Sequence, residues 1–240
     1  MEKRGDDDSA DYWRDDDLKQ GTLLRMRAIT KEFPGVKALD QVDLEIRYGE
    51  VHAIVGENGA GKSTLIKIIS GAYQKDAGTY EFDGEQFDNV TPQFTLEKGI
   101  SVIYQELSYL PTMTIAENIF LARQPKTRQG LIDYKKLNQE SMEVQKRIGL
   151  DKYSPTKEVG RLTAAEKQLI EIGRAQARDL KMLILDEPTS ALNDEEIRRL
   201  FSIINNLRTQ GCGIIYITHK MDAVSYTHLD VYKRQPSWRR

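Results

Sequence analysis

Gly56-Glu57-Asn58-Gly59-Ala60-Gly61-Lys62-Ser63-Thr64 is the stretch that decides how the rest of this 240-residue chain reads. A glycine, four open positions, then Gly-Lys and a hydroxyl residue is the pattern of a phosphate-binding loop. The glycines let the backbone curl so that successive N–H groups point inward at phosphate oxygens. Lys62 brings a point charge to the β- and γ-phosphates, and the Ser63 hydroxyl is a hard oxygen ligand for Mg²⁺. The apolar run Val51-His52-Ala53-Ile54-Val55 ends directly at the loop and reads as a buried strand. Thr64 to Ile69 follows as a helix whose N-terminal dipole faces the anion.

Working outward, the chain alternates strand-like and helix-like stretches. Leu23 to Ile29 and Val42 to Ile46 read as strands joined by a loop holding Phe33, Pro34 and Gly35. Thr79 to Gly84 reads as a strand ending in a turn. Ile100 to Tyr104 is an apolar strand that ends at Gln105. From Ile115 to about Leu180 the pattern turns helical, with Leu137, Met142, Val144 and Ile148 as expected buried positions. Met182 to Leu185 ends in Asp186-Glu187-Pro188-Thr189. A helix over Glu195 to Leu207 leads to the strand Gly213 to Thr218, which ends at His219.

Three strands thus end in a polar residue, and a fourth ends at the phosphate loop. In an open parallel sheet, ligands lie outside the carboxyl ends of the strands. Gln105, Asp186, Glu187 and His219 are therefore expected beside one nucleotide. Asp186 would hold Mg²⁺, and Glu187 is the general-base candidate for activating water. Gln105 would position that water or touch the metal. His219 would hydrogen-bond the γ-phosphate. Phe33 is placed to stack on adenine, with core packing as its rival role.

Bulk composition narrows the class. The net charge of −2 argues against a nucleic-acid footprint. The single cysteine, Cys212, rules out an internal disulfide framework and reads as a small apolar residue beside a buried strand. No apolar run reaches membrane-spanning length, and the first residues carry no secretory pattern, so the chain is expected to be soluble yet able to dock on a membrane protein. Residues 1–21 hold two Asp triplets with almost nothing apolar and read as a disordered acidic extension. Residues 224–240 lack a helical stripe, look like non-native read-through, and are set aside. Residues 22–223 form the expected globular body, with a helical subdomain over about 106–180.

The phosphate loop, Gln105, Leu162-Thr163-Ala164-Ala165-Glu166, Leu185-Asp186-Glu187-Pro188-Thr189, Ser190-Ala191-Leu192 and His219 occur in the order seen in ABC-transporter ATPases, which the chain resembles. Ile29 to Leu39 and Ile217-Thr218-His219-Lys220-Met221 resemble the ATP-binding proteins of bacterial importers of ribose, galactose and xylose. The resemblance implies an α/β fold of the P-loop NTPase kind: a mainly parallel sheet, an N-terminal antiparallel β subdomain and an inserted helical subdomain. It implies Mg²⁺ and ATP as ligands, and ATP hydrolysis coupled to sugar import. It also implies a second nucleotide-binding domain, in tandem or as a dimer, whose ATP would face the Leu162–Glu166 signature in trans. A groove from Gln105 onward would receive membrane permease subunits at the cytoplasmic face of the membrane. A substrate-binding protein would act indirectly, and no nucleic acid is expected. The alternatives are a nucleoside importer ATPase, a fragment that binds ATP without hydrolysing it, and an ABC ATPase of translation or repair.

Three departures from the family pattern carry expectations. The signature commonly reads Leu-Ser-Gly-Gly-Gln, whereas here Ala165 stands for the last glycine and Glu166 for glutamine. The Ala165 Cβ is expected to crowd the approaching phosphate and Glu166 to add negative charge there. Asn193 stands where many relatives carry aspartate in a dimer-contact loop. The pattern also stops soon after His219, where a further strand and helices would follow. An exposed sheet edge and marginal solubility are expected of the chain alone.

Overall fold

The computed structural model describes residues 21–219 apart from 58, 107 and 191. The acidic extension, Asn58, Ala191, Lys220, Met221 and the 224–240 tail lie outside the described residues. In chain order the elements are β1 (Thr22–Phe33), β2 (Val36–Arg47), β3 (Val51–Val55), α1 (Lys62–Ile69), β4 (Ala77–Phe82), β5 (Glu85–Phe87), α2 (Pro92–Glu97), β6 (Ile100–Ile103), α3 (Ile115–Ile119), α4 (Tyr134–Arg147), α5 (Ala164–Gln176), β7 (Met182–Asp186), α6 (Asp194–Thr209) and β8 (Gly213–Thr218). They fall into two compact units, one of residues 1–95 with 204–240 and one of residues 96–203.

The first unit contains an antiparallel sheet in the order β2-β1-β4-β5. Alternation builds it. Leu24, Met26, Leu44, Ile46, Tyr80 and Phe82 are buried on one face. On the other face Arg25 stands opposite Glu45 on β2 and Glu81 on β4, and pairs with both, at 3.3 and 3.5 Å. β1 and β2 are longer than the sequence pattern suggests. Their hairpin turns at Pro34-Gly35, so Phe33 is the last residue of a strand, opposite Val36, rather than part of a loop. In the added length Glu32 stands opposite Lys37 and pairs with it at 3.3 Å.

The same unit holds the parallel pair β3 and β8, in register from Val51 opposite Ile214 to Val55 opposite Thr218. Ile214 to Ile217 are fully buried, which is why this strand reads as an unbroken apolar run.

The second unit contains the parallel pair β6 and β7, in register from Ile100 opposite Met182 to Ile103 opposite Leu185. Around it α3, α4 and α5 bury Ile115, Ile119, Leu137, Val144, Ile148, Leu169 and Ile172. Gly173 lets α5 come close to α4: a Cβ there would sit 2.9 Å from Ile148 Cδ1 and 3.2 Å from Val144 Cγ1. Met142, expected inside, is 49% exposed. On α4 the buried set is Leu137, Ser141, Val144 and Gln145, so two polar residues occupy the inner stripe while Met142 falls outside it.

Three helix starts between residues 114 and 196 that read Thr/Asn-x-x-Glu are closed by their own side chains. Thr114 with Glu117 caps α3, Thr163 with Glu166 caps α5, and Asn193 with Glu196 caps α6 through bonds of 3.0 and 3.1 Å. These reciprocal boxes were legible in the sequence and are the strongest local signal that its apolar periodicity left unread.

Candidate functional site

In the first unit the phosphate loop leaves β3 at Gly56 and enters α1 at Lys62. Gly59 has φ +86° and Gly61 φ +78°, both in the left-handed region where a side chain is strained. Gly61 occupies the N-cap of α1 and brings no side chain to it. The first-turn N–H groups of α1 are therefore left to an outside acceptor rather than to a capping oxygen. The Lys62 ammonium lies back over the loop, donating to the carbonyls of Gly56 at 2.6 Å and Glu57 at 2.8 Å. Its third N–H remains for a phosphate oxygen. Ser63 is exposed on the first turn, and Thr64 is half-buried beside it. Ala60 N–H donates to Glu57 C=O at 3.2 Å and tightens the curl. Glycine conformation, bare N-terminus and poised lysine together fit the triphosphate of a nucleotide. Exposed Ser63 fits a ligand role toward its metal.

The register of β3 with β8 brings His219 beside the loop. Val55 faces Thr218, so the next residues, Gly56 and His219, leave the two strand ends side by side, and His219 is exposed. Phe33 is half-buried at the end of β1. Its ring meets Tyr73 edge-on at 5.5 Å and 65°, with the Lys31 ammonium 5.5 Å from its centre.

In the second unit the register of β6 with β7 does the same for the acidic pair. Ile103 faces Leu185, so the two strands end side by side, with Tyr104 and Gln105 leaving one and Asp186 and Glu187 the other. Gln105 is exposed, and Asp186 and Glu187 are half-buried. Glu187 has φ +50° and is followed by Pro188. A non-glycine residue in that region is strained, and a following proline adds its own restriction. Such strain is concentrated at functional sites, where surrounding structure holds a side chain in one direction.

The signature Leu162-Thr163-Ala164-Ala165-Glu166 opens α5. Thr163 is the N-cap: its Oγ1 accepts from Glu166 N–H at 3.2 Å, and Glu166 Oε2 accepts from Thr163 N–H at 3.0 Å. Leu162 is buried beneath the turn and Ala164 is exposed on it, while Ala165 is 9% exposed. Glu166 is itself buried, and its Oε1 accepts from Tyr153 Oη and from the Lys152 ammonium, each at 2.9 Å. Burial pushes this carboxyl up, but Lys152, the Thr163 N–H and the Tyr153 hydroxyl outweigh it and hold it below its ordinary value. Its charge is therefore paired inside the unit, where the sequence suggested a bare negative charge at the turn. A cavity of about 200 Å³ adjoins, lined by Lys152, Thr163, Ala165, Glu166, Asn193 and Arg199 among others. The capping residue Asn193 thus shares a cleft with the signature.

The chain matches the family model described as ABC transporter over residues 39–190. A putative ribose/galactose/methyl galactoside import ATP-binding protein of Burkholderia lata is 50% identical over 200 residues, 83% of this chain and 38% of that protein. Proteins of the same description from Rhizobium etli and Halalkalibacterium halodurans are each 50% identical, over 87% and 83% of this chain and 40% and 38% of theirs. The chain thus spans about two-fifths of the length of the curated relatives it matches. Among solved structures, the ADP conformation of an ATP-binding cassette of an ABC transporter superposes with a TM-score of 0.76 at 28% identity, covering 86% of this chain and 85% of that one. A nucleotide-free ATP-binding cassette from an ABC transporter gives 0.73 at 28% identity, covering 85% and 84%. With the strand, glycine loop and lysine in place and the family model covering most of its length, the chain belongs to the ABC transporter family and has the fold of its ATP-binding cassettes.

Proposed function

We propose that this chain binds and hydrolyses Mg²⁺·ATP to energise a membrane importer of monosaccharides. The phosphate loop carries the reading: left-handed Gly59 and Gly61, an N-terminus of α1 bare of capping side chains, and a lysine held over the curl. In this reading the loop amides of Gly56 to Thr64, Asn58 included, bind the β- and γ-phosphates, and Phe33 stacks on adenine. Ser63, Asp186 and Gln105 would hold Mg²⁺, which when bound neutralises charge developing on the phosphate oxygens. Glu187 accepts the proton of the attacking water, and Gln105 and His219 orient that water. The fixed backbone of Glu187 suits the task, because a base must be aimed before its basicity counts.

The cargo follows from relatives described as ribose, galactose and methyl galactoside import proteins. Their greater length supports a second nucleotide-binding domain, in tandem or as a partner, whose ATP would meet the Leu162–Glu166 turn. Permease subunits and, indirectly, a substrate-binding protein complete the assembly, and this chain would sit at the cytoplasmic face of the membrane. None of its helices is long and apolar enough to cross one, among the described residues.

Binding and turnover of Mg²⁺·ATP by the full chain test the reading. Lys62→Ala is expected to weaken binding by about 10²-fold or more. Glu187→Gln should keep binding and lower turnover by roughly 10²-fold or more. A folded chain with no affinity for Mg²⁺·ATP, indifferent to Lys62→Ala, would overturn it. Uptake of labelled ribose, galactose and nucleosides by the assembled importer tests the cargo.

A further inference from the structure

Glu166 differs from the other capping glutamates in having a second set of donors. Its Oε2 takes the Thr163 N–H, and its Oε1 takes both Lys152 and Tyr153. The turn that carries these two donors is itself held from α4. Gln145, fully buried, donates to the carbonyls of Leu150 at 3.1 Å and Tyr153 at 2.9 Å, and its Oε1 accepts from buried Ser141. An unbroken polar chain therefore runs from the inner stripe of α4, through the 150–153 turn, to the first turn of α5.

Each link in this chain needs the chemistry it has. Both Glu166 oxygens are acceptors, and both face donors. A glutamine at this position has one acceptor. With its carbonyl on the Thr163 N–H, its amide N–H groups would point at the Lys152 ammonium, donor against donor. With the carbonyl on Lys152, the cap is lost. Lys152 and Glu166 are thus matched to each other, and the sequence departure at Glu166 has its explanation in Lys152.

We propose that Glu166 is a positioning residue which, clamped by Lys152 and Tyr153, fixes the Leu162–Ala165 turn in the conformation that presents the Thr163 hydroxyl and the turn amides to a nucleotide on a second domain. The last clause rests on the function proposed above. Glu166 does not touch that nucleotide. Thr163 Oγ1 accepts from Glu166 N–H, which leaves the hydroxyl proton to donate outward. Because a buried polar group left without its partner costs more than the bond itself yields, breaking the clamp loosens the whole turn.

Amide hydrogen exchange across residues 162–167 of the full chain, read beside the ATP KM of the assembled protein, tests this. Glu166→Ala should speed exchange by roughly tenfold, the equivalent of a lost helix cap. Lys152→Met is the safer probe, because the Lys152 side chain is 55% exposed. It should speed exchange about threefold. In a Glu166→Gln background, Lys152→Met should add nothing or partly restore protection, since the unmatched lysine is gone. KM for ATP should rise in step with exchange, with kcat changing less. Unchanged exchange in both Glu166→Ala and Lys152→Met, or fully additive effects of Lys152→Met and Glu166→Gln, overturns the clamp. Faster exchange with an unmoved KM overturns the positioning role. The exchange measurement needs no nucleotide, so it judges the clamp even in a chain that fails to hydrolyse ATP.

Discussion

α1 and α5 both open at a turn that we propose meets nucleotide phosphate, yet they begin in opposite ways. At α1 the N-cap is a left-handed glycine, no side chain closes the helix, and the amides are left for an anion. At α5 a threonine and a glutamate satisfy the first turn from within, and a lysine and a tyrosine hold the glutamate. The difference separates two kinds of site. A bare helix start is an anion receptor that needs its ligand to complete its hydrogen bonds. A capped helix start is complete by itself and offers only a hydroxyl proton and the amides the box leaves over. The phosphate loop should therefore carry the affinity, and the signature turn should add orientation.

The most forceful way to break that contrast is Lys62→Ala. The ammonium is the one side-chain cation bonded to the loop among the described residues, and it lies within reach of any phosphate seated there. Removing it should weaken ATP binding by 10²-fold or more, since charge-assisted contacts to phosphate are among the stronger ones. No single change in the Leu162–Glu166 turn should approach that effect. Calorimetric titration of the full chain with Mg²⁺·ATP measures both, and an equal loss from a signature variant would erase the distinction.

Gly61→Ala comes next. A Cβ at φ +78° is strained by about 1–2 kcal/mol, so the N-cap must either bear that cost or leave its conformation. Roughly tenfold weaker nucleotide binding is expected, with α1 still folded by circular dichroism. Alanine at the same place relative to α5 would bear no backbone strain, because Thr163 has an ordinary extended φ of −68°; its cost there is instead the lost cap, about 1 kcal/mol.

These glycines were readable in the sequence because their spacing has one physical cause: a backbone that must turn its N–H groups inward. The buried parallel strands were readable for a similar reason. Ile214 to Ile217 and Met182 to Leu185 are apolar on both faces, and no surface strand reads that way. Two things were not readable. In the added length of β1 and β2, Glu32 stands opposite Lys37 and pairs with it at 3.3 Å, a contact that forms only once the two strands are in register. The inner stripe of α4 holds Ser141 and Gln145, polar residues whose partners lie on the 150–153 turn, so an apolar pattern selected Met142 instead. At the site, sequence supplied the identity of the strand-end residues. The pairing register alone set the ends of β3 and β8 side by side, and likewise those of β6 and β7. The environment of Glu166 was hidden because Lys152 and Tyr153 lie more than ten residues upstream, across a turn that hydrophobic periodicity does not describe.

Acid should erode the capped turn. Burial pushes the Glu166 carboxyl up, but its three donors hold it below the ordinary 4.5. A carboxyl with a depressed folded pKa contributes stability that is fully present above the ordinary carboxylate range. That stability is lost as pH falls through the folded value. The groups facing it are Lys152 and Tyr153, with Glu195, Glu196 and Arg199 along the adjoining cavity. Glu166→Gln should therefore melt about 2–4 °C lower than the native chain near pH 7, the shift expected for about 1 kcal/mol. The two should converge as pH falls below 4.5 and through the folded value. A gap that persists in acid would mean that packing, not charge, is what Glu166 supplies.

Ala165→Gly is the smallest and sharpest of these tests. If the Ala165 Cβ obstructs an approaching phosphate, its removal should lower the ATP KM of the assembled protein, within about threefold. Glycine inside the first turn of α5 also costs about 0.5–1 kcal/mol of helix. The two effects oppose each other and are separable. Helix loss appears as faster exchange in α5 without nucleotide, whereas relief of crowding appears only in KM. Ala165 is 9% exposed, so its methyl packs largely inward, and most of the change should fall on the helix. Faster exchange with an unimproved KM would show that the turn is held back by its own completed hydrogen bonds rather than by a methyl group in the way. That is the result the contrast between α1 and α5 requires.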